Sequence, residues 1–145
     1  MKIPYGKSNF AAIRADRYFY ADKTPFIPEL ESQEAGYDYL LFLRPRRIGK
    51  SLLVSMLEHY YDLGRKEQYD ALFEGLWIHE HPTPGRNAYL ALTLDFSPVT
   101  TDGGALAMRQ SFTHVVKNCM RPFLMRYRAR FPDLARLDAT LDGHD

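Results

Sequence analysis

The chain has 145 residues, of which 46% are hydrophobic and 26% charged, a globular balance that excludes a disordered or low-complexity polypeptide. A formal charge of +1 excludes a global bias toward nucleic acid or anionic membrane, and the single cysteine, Cys119, excludes an internal disulfide and fits a reducing compartment. No signal-like apolar stretch follows Met1 and no apolar run approaches the roughly eighteen residues of a membrane span, so the chain reads as soluble and cytoplasmic.

In chain order, Ile3-Pro4-Tyr5-Gly6 reads as a turn, because proline presets one backbone angle and glycine permits the next. Phe10 to Arg14 suits a helical turn and Tyr18-Phe19-Tyr20-Ala21 an extended piece. Asp22-Lys23-Thr24-Pro25 reads as a helix start, with Thr24 as cap and Pro25 where a missing N–H costs little. Phe26, Ile27 and Leu30 follow at helical spacing, and Gly36 closes the segment. Asp38 to Leu43 is a nearly unbroken apolar run, as expected of a strand covered on both faces.

After a basic turn, Leu52, Leu53, Met56, Leu57 and Tyr60 mark the apolar stripe of a helix that ends near Asp62-Leu63-Gly64. A short helix is expected around Gln68 to Phe73, with Leu72, Phe73, Leu76, Trp77 and Ile78 forming an apolar cluster. His79 to Asn87, with Pro82, Pro84 and Gly85, is a loop, and Ala88 to Phe96 is a second buried strand. Residues 103–131 carry Leu106, Phe112, Val115, Val116, Cys119, Phe123 and Tyr127 at helical offsets, and Pro122 is expected to kink or break that helix. Strand, loop, helix, strand and helix predict an α/β domain with a parallel sheet of the P-loop type. Only two strands are legible where a sheet has about five or six, so the sheet is expected to be incomplete.

Function is concentrated between Tyr39 and Leu53. An apolar run ends in Arg44-Pro45-Arg46-Arg47-Ile48-Gly49-Lys50-Ser51, which opens the amphipathic helix, in the order of a nucleotide-binding phosphate loop. The pattern Gly-x-x-x-x-Gly-Lys-Ser/Thr has Arg44 in place of its first glycine, a position where a tight turn often wants no Cβ. A polyphosphate needs converging donors, and a loop entering a helix offers unpaired backbone N–H groups and the positive end of the helix dipole. Arg46 and Arg47 supply guanidiniums, Ile48, Gly49 and Leu52 complete the loop, Lys50 reaches the β- and γ-phosphates, and Ser51 places its hydroxyl on Mg²⁺. The competing reading is a basic left-handed turn that only caps a helix.

The run Phe42-Leu43-Arg44-Pro45-Arg46-Arg47-Ile48-Gly49-Lys50-Ser51 closely resembles the phosphate loop of the bacterial AAA-ATPase-like family, in which the first glycine is already replaced. The resemblance includes Ile3-Pro4-Tyr5-Gly6, Tyr20-Ala21-Asp22-Lys23-Thr24 with Phe26-Ile27, Leu72-Phe73-Glu74-Gly75-Leu76-Trp77-Ile78 and Leu94-Asp95-Phe96-Ser97. Ile48 departs from the family's Phe at a position expected to pack under the loop. The resemblance implies an ATPase core binding ATP and Mg²⁺, with Asp22-Lys23-Thr24 near the segment that closes over the adenine base. It also implies a downstream acidic strand and nuclease-like domain that residues 1–145 do not contain, so the chain is expected to be the N-terminal part of such a protein.

Other patterns are weaker. By the resemblance Asp95 matches the strand between the two nucleotide motifs, and it suits a helix-capping or loop-fixing role better than a metal contact. His79-Glu80-His81 places two imidazoles at i and i+2 without further ligands at metal-site spacing. Arg121, Arg126, Arg128, Arg130 and Arg136 read as a solvated face, so a nucleic-acid partner is conceivable but unsupported. The function expected is therefore ATP binding, with a non-hydrolysing remnant, an interaction module or a DNA-associated module as the alternatives.

Overall fold

Asn9 opens the first helix by accepting a hydrogen bond from the Ala12 amide at 2.9 Å, and that capping fixes which side chains turn inward. The computed structural model describes residues 2–32, 41, 43, 45 and 48–131. It divides into two units, Met1–Leu90 and Ala91–Asp145. In the first unit the helices are α1 (Phe10–Ala15), α2 (Ile27–Glu31), α3 (Lys50–Tyr61), α4 (Tyr69–Phe73) and α5 (Trp77–Glu80). Short 3₁₀ turns at Thr24–Phe26 and Leu63–Gln68 supplement them.

The core is aromatic. Phe10 packs edge-on to Tyr20 at 5.2 Å between centroids and against Phe73 at 5.0 Å, and Tyr69 stacks on Phe73 at 5.0 Å. Met56 and Tyr60, four residues apart on α3, bury one face against this cluster, as the apolar stripe requires. Leu52, Leu53 and Leu57 pack at its margin. Each fully buried ring contributes about 1.5–3 kcal/mol by transfer from water. Leu72, Phe73, Leu76 and Ile78 join the core as expected, whereas Trp77 stays 39% exposed. Arg14 ties α1 to the end of α4 through the carbonyls of Leu72 and Glu74.

The expected α/β parallel sheet is overturned, because every regular element among the described residues is helical. The first expected strand, 38–43, lies mostly outside the described residues, and its two described members, Leu41 and Leu43, are exposed. The second begins as foreseen and then finds no partner among the described residues. Tyr89 donates its amide to the Tyr61 carbonyl at 3.0 Å and accepts from the Leu63 amide at 2.8 Å, forming one parallel bridge with Asp62. Asp62 is flanked by α3 and a 3₁₀ turn, so the bridge has no extended neighbour along which to grow. Leu90, Leu92, Leu94 and Phe96 remain exposed rather than buried.

In the second unit, α6 (Gly104–Arg126) follows a turn in which Phe96 stacks on Phe112 with centroids 5.3 Å apart. The helix runs through Pro122 without breaking. Proline forfeits one ladder bond at a cost of about 3 kcal/mol, which the rest of a long helix with buried Val115 and Leu124 outweighs. Arg121 and Arg126 are exposed on its last turns, Arg128 and Arg130 on the 3₁₀ turn that follows, and Arg136 lies outside the described residues. Among the described residues no helix is long and apolar enough to cross a membrane.

His59, only 3% exposed, sits between the two ends of a polar clasp at the C-terminal end of α3. Its Nδ1 donates to the Ser55 carbonyl at 2.7 Å and its Nε2 accepts from Arg65 at 2.9 Å, which defines a neutral ring. Arg65 also pairs with Glu58 and Asp62. Burial lowers the His59 pKa, and the Arg65 charge adds to that against the Ser55 carbonyl and the two carboxylates. The folded chain thus holds this proton less tightly than the unfolded chain. The stability it lends is complete above the ordinary value near 6.5 and is lost as pH falls through the lowered one. The melting temperature is expected to drop between about pH 7.5 and about pH 5.5, and by less in His59→Gln, which has no imidazole to protonate. Calorimetric melts of both proteins across that range check it, and equal slopes would refute the assignment.

Candidate functional site

Gly49 lies at φ +85°, a left-handed conformation that L side chains rarely adopt, and it forms the N-terminal boundary of α3. A Cβ at this position would lie 3.3 Å from Lys23 Nζ, so space as well as backbone angle favours glycine. Lys50, Ser51 and Leu52 form the first turn, and no side chain caps it. Their amides are the donors that a helix start leaves without intrahelical partners. Lys50 Nζ donates to the Pro45 carbonyl at 3.0 Å. Lys23 Nζ donates to the Ile48 carbonyl at 3.0 Å.

A cleft of about 880 Å³ opens beside this turn, within the roughly 300–1,000 Å³ typical of small-molecule sites. Residues 3–8, 19–21 and Lys23 line it together with residues 48–52. Among the described residues its charged lining consists of Lys7, Lys23 and Lys50, with no carboxylate. Lys7 is engaged by Asp16 at 3.0 Å and lies over the Tyr18 ring. Tyr5, Phe19 and Tyr20 supply aromatic surface. The Tyr20 hydroxyl is buried without a hydrogen-bond partner of good geometry among the described residues. Burial and then the Asp22 charge raise its pKa to about 12, with the neighbouring Lys23 amide and Arg14 partly offsetting them.

The Asp-Lys-Thr segment is held from behind. Asp22 accepts from the Thr24 amide at 2.8 Å, from the Thr24 hydroxyl at 2.7 Å and from the Trp77 amide at 2.8 Å. Thr24, wholly buried, accepts from the Ile78 amide at 3.2 Å. Thr24 was expected to cap its own helix. Its hydroxyl instead satisfies the first turn of α5, because burial brings that turn closer than the amides that follow Thr24 in sequence.

Of the residues expected to bind nucleotide, the fold brings Ile48, Gly49, Lys50, Ser51 and Leu52 to one side of the cleft. Arg46 and Arg47 lie outside the described residues, as does Arg44. Ile48 is not buried; it is 45% exposed and lines the cleft. Asp95 accepts from the Ser97 amide at 2.9 Å, and that bond holds its carboxyl below the usual range, the turn-fixing role. His79 stacks on Tyr69 and His81 on Trp77. Sequence reasoning missed Lys23 as a neighbour of the loop. Its position inside the Asp22-Lys23-Thr24 block was the signal available.

The arrangement fits a phosphate group, with uncapped amides at a left-handed glycine and lysines facing no carboxylate in the described lining. For a cation the exposed Ser51 hydroxyl is the fitting donor on the same turn. Among the described residues no three His, Cys, Asp or Glu side chains gather into a metal site.

The chain belongs to the AAA-ATPase-like family, described as predicted AAA-ATPases, whose family model matches residues 4–142. A curated protein of Azotobacter chroococcum mcd 1, described as an uncharacterized protein in the vnfD 5' region, is 41% identical over 80 residues. The match covers 54% of this chain and 14% of that protein, so the aligned segment is a small part of the relative's length. No solved structure matches the chain.

Replacing Thr24 by valine keeps its shape and deletes the hydroxyl, leaving the Ile78 amide and one Asp22 bond unmet. Thr24→Val is expected to lower unfolding stability by about 1–3 kcal/mol, measured by denaturant titration.

Proposed function

We infer that the chain binds ATP, together with Mg²⁺, through Arg46, Arg47, Ile48, Gly49, Lys50, Ser51 and Leu52. The observation that carries this reading is the left-handed Gly49 opening an uncapped helix whose first residue is Lys50, at the edge of the lysine-lined cleft. The family to which the chain belongs supports nucleotide use in general terms.

In this reading the amides of Lys50, Ser51 and Leu52 donate to phosphate oxygens, and Gly49 lets the backbone approach without a Cβ. The Lys50 ammonium leaves the Pro45 carbonyl, a neutral partner, for a charged one that binds it more strongly. Ser51 holds the cation that accompanies the nucleotide. When bound, Mg²⁺ neutralises part of the phosphate charge. Arg46 and Arg47 add guanidiniums suited to bidentate phosphate contact.

Equilibrium binding of labelled ATP with Mg²⁺ tests the reading. Lys50→Ala is expected to weaken binding by about 10- to 100-fold, the loss of one charge-assisted hydrogen bond. Unchanged affinity in that variant would remove the phosphate-loop assignment.

A further inference from the structure

We propose that Lys23, twenty-seven positions before Lys50 in the sequence, is a second phosphate-binding lysine of this site and grades ligands by their number of phosphates. This role rests on the ATP-binding reading of the loop and adds to it a residue outside the loop. Lys23 Nζ donates to the Ile48 carbonyl at 3.0 Å and lies 3.3 Å from where a Gly49 Cβ would be. The ammonium therefore stands against the one residue whose missing side chain lets a ligand reach the backbone.

Chemistry makes that position useful. A lysine ammonium carries three N–H donors and no acceptor. One of them is directed at the Ile48 carbonyl, which leaves two for an incoming oxyanion without releasing the loop. The described lining of the cleft offers no carboxylate to compete for them, and Lys7 already has Asp16 as its partner. Lys23 and Lys50 are thus the lysines of the lining whose described hydrogen bonds go to neutral carbonyls of the loop, those of Ile48 and Pro45. Two cations at one turn suit a ligand with adjacent negative charges, such as a nucleoside di- or triphosphate, more than one with a single phosphate.

The backbone of Lys23 is also fixed on both sides. Asp22 and Thr24 are bonded to the amides of Trp77 and Ile78, so the stem of the lysine starts from an anchored point while its tip reaches the loop. A lysine whose only duty was solvation would not need that fastening.

The test is equilibrium binding of ATP, ADP and AMP, each with Mg²⁺, to the full chain and to Lys23→Met, Lys23→Arg and Lys50→Ala. Thermal melts of each variant serve as the folding control. Lys23→Met keeps the apolar stem and is expected to weaken ATP about tenfold or more while leaving AMP nearly unchanged, which narrows the ATP-to-AMP ratio. Lys23→Arg keeps the charge and is expected to restore most of that ratio. A ratio that stays constant in Lys23→Met overturns the proposal, whether affinity is kept or falls equally for all three nucleotides, since an equal fall marks a residue that only supports the loop through Ile48. Loss in Lys50→Ala with none in Lys23→Met removes this inference and leaves the ATP-binding reading standing. A wild-type chain that binds no ATP removes both.

Discussion

The first unit depends on one constraint: α3 must bury Met56 and Tyr60 while its first turn stays open to the cleft. The buried face is held by an aromatic cluster gathered from α1, α4 and the segment before α2, so α3 cannot shift at Tyr60 without disturbing Phe73 and, through it, Phe10. At the other end the helix is held by polar bonds. Asn87, itself buried in a left-handed conformation, donates its amide to the Tyr60 carbonyl at 2.8 Å and its side chain to the Asp62 carbonyl at 2.9 Å. These bonds satisfy carbonyls that the end of a helix leaves without partners. Packing thus fixes the axis, and the clasp at Asp62 fixes its end.

Much of this was legible because it is periodic. The stripe from Leu52 to Tyr60 has a helical repeat that a strand cannot use, and α3 occupies the span expected of it. Gly49-Lys50-Ser51 was legible because glycine is the residue that enters a helix through a left-handed backbone angle without steric cost. The sheet was not. Residues 38–43 and 88–96 are continuous apolar runs, and such runs carry no period of their own. A strand also exists only when something pairs with it, and the Asp62–Tyr89 bridge ends where α3 and the following 3₁₀ turn leave no extended neighbour.

The site divides in the same way. Its loop half is a local sequence pattern and could be read directly. Its other half, residues 3–8, 19–21 and Lys23, reaches the cleft through contacts that no local pattern encodes. Thr24 shows the limit: its hydroxyl was expected to serve the next few amides, yet it serves one 54 positions away. Lys23 was placed by the resemblance near the adenine side, and its contact with the loop was not foreseen for the same reason, since its carbonyl partner at Ile48 is 25 positions distant.

The bond from Lys23 to the carbonyl of Ile48 has a consequence in conformational entropy. A chain segment that must be ordered at the moment of association subtracts that ordering from its affinity, about 0.5–1.5 kcal/mol for each long side chain immobilised. Here the Lys23 side chain is already positioned at the turn, and position 48 is already restrained by it. Part of the ordering at this turn is therefore done during folding, by a side chain that also brings a positive charge to it.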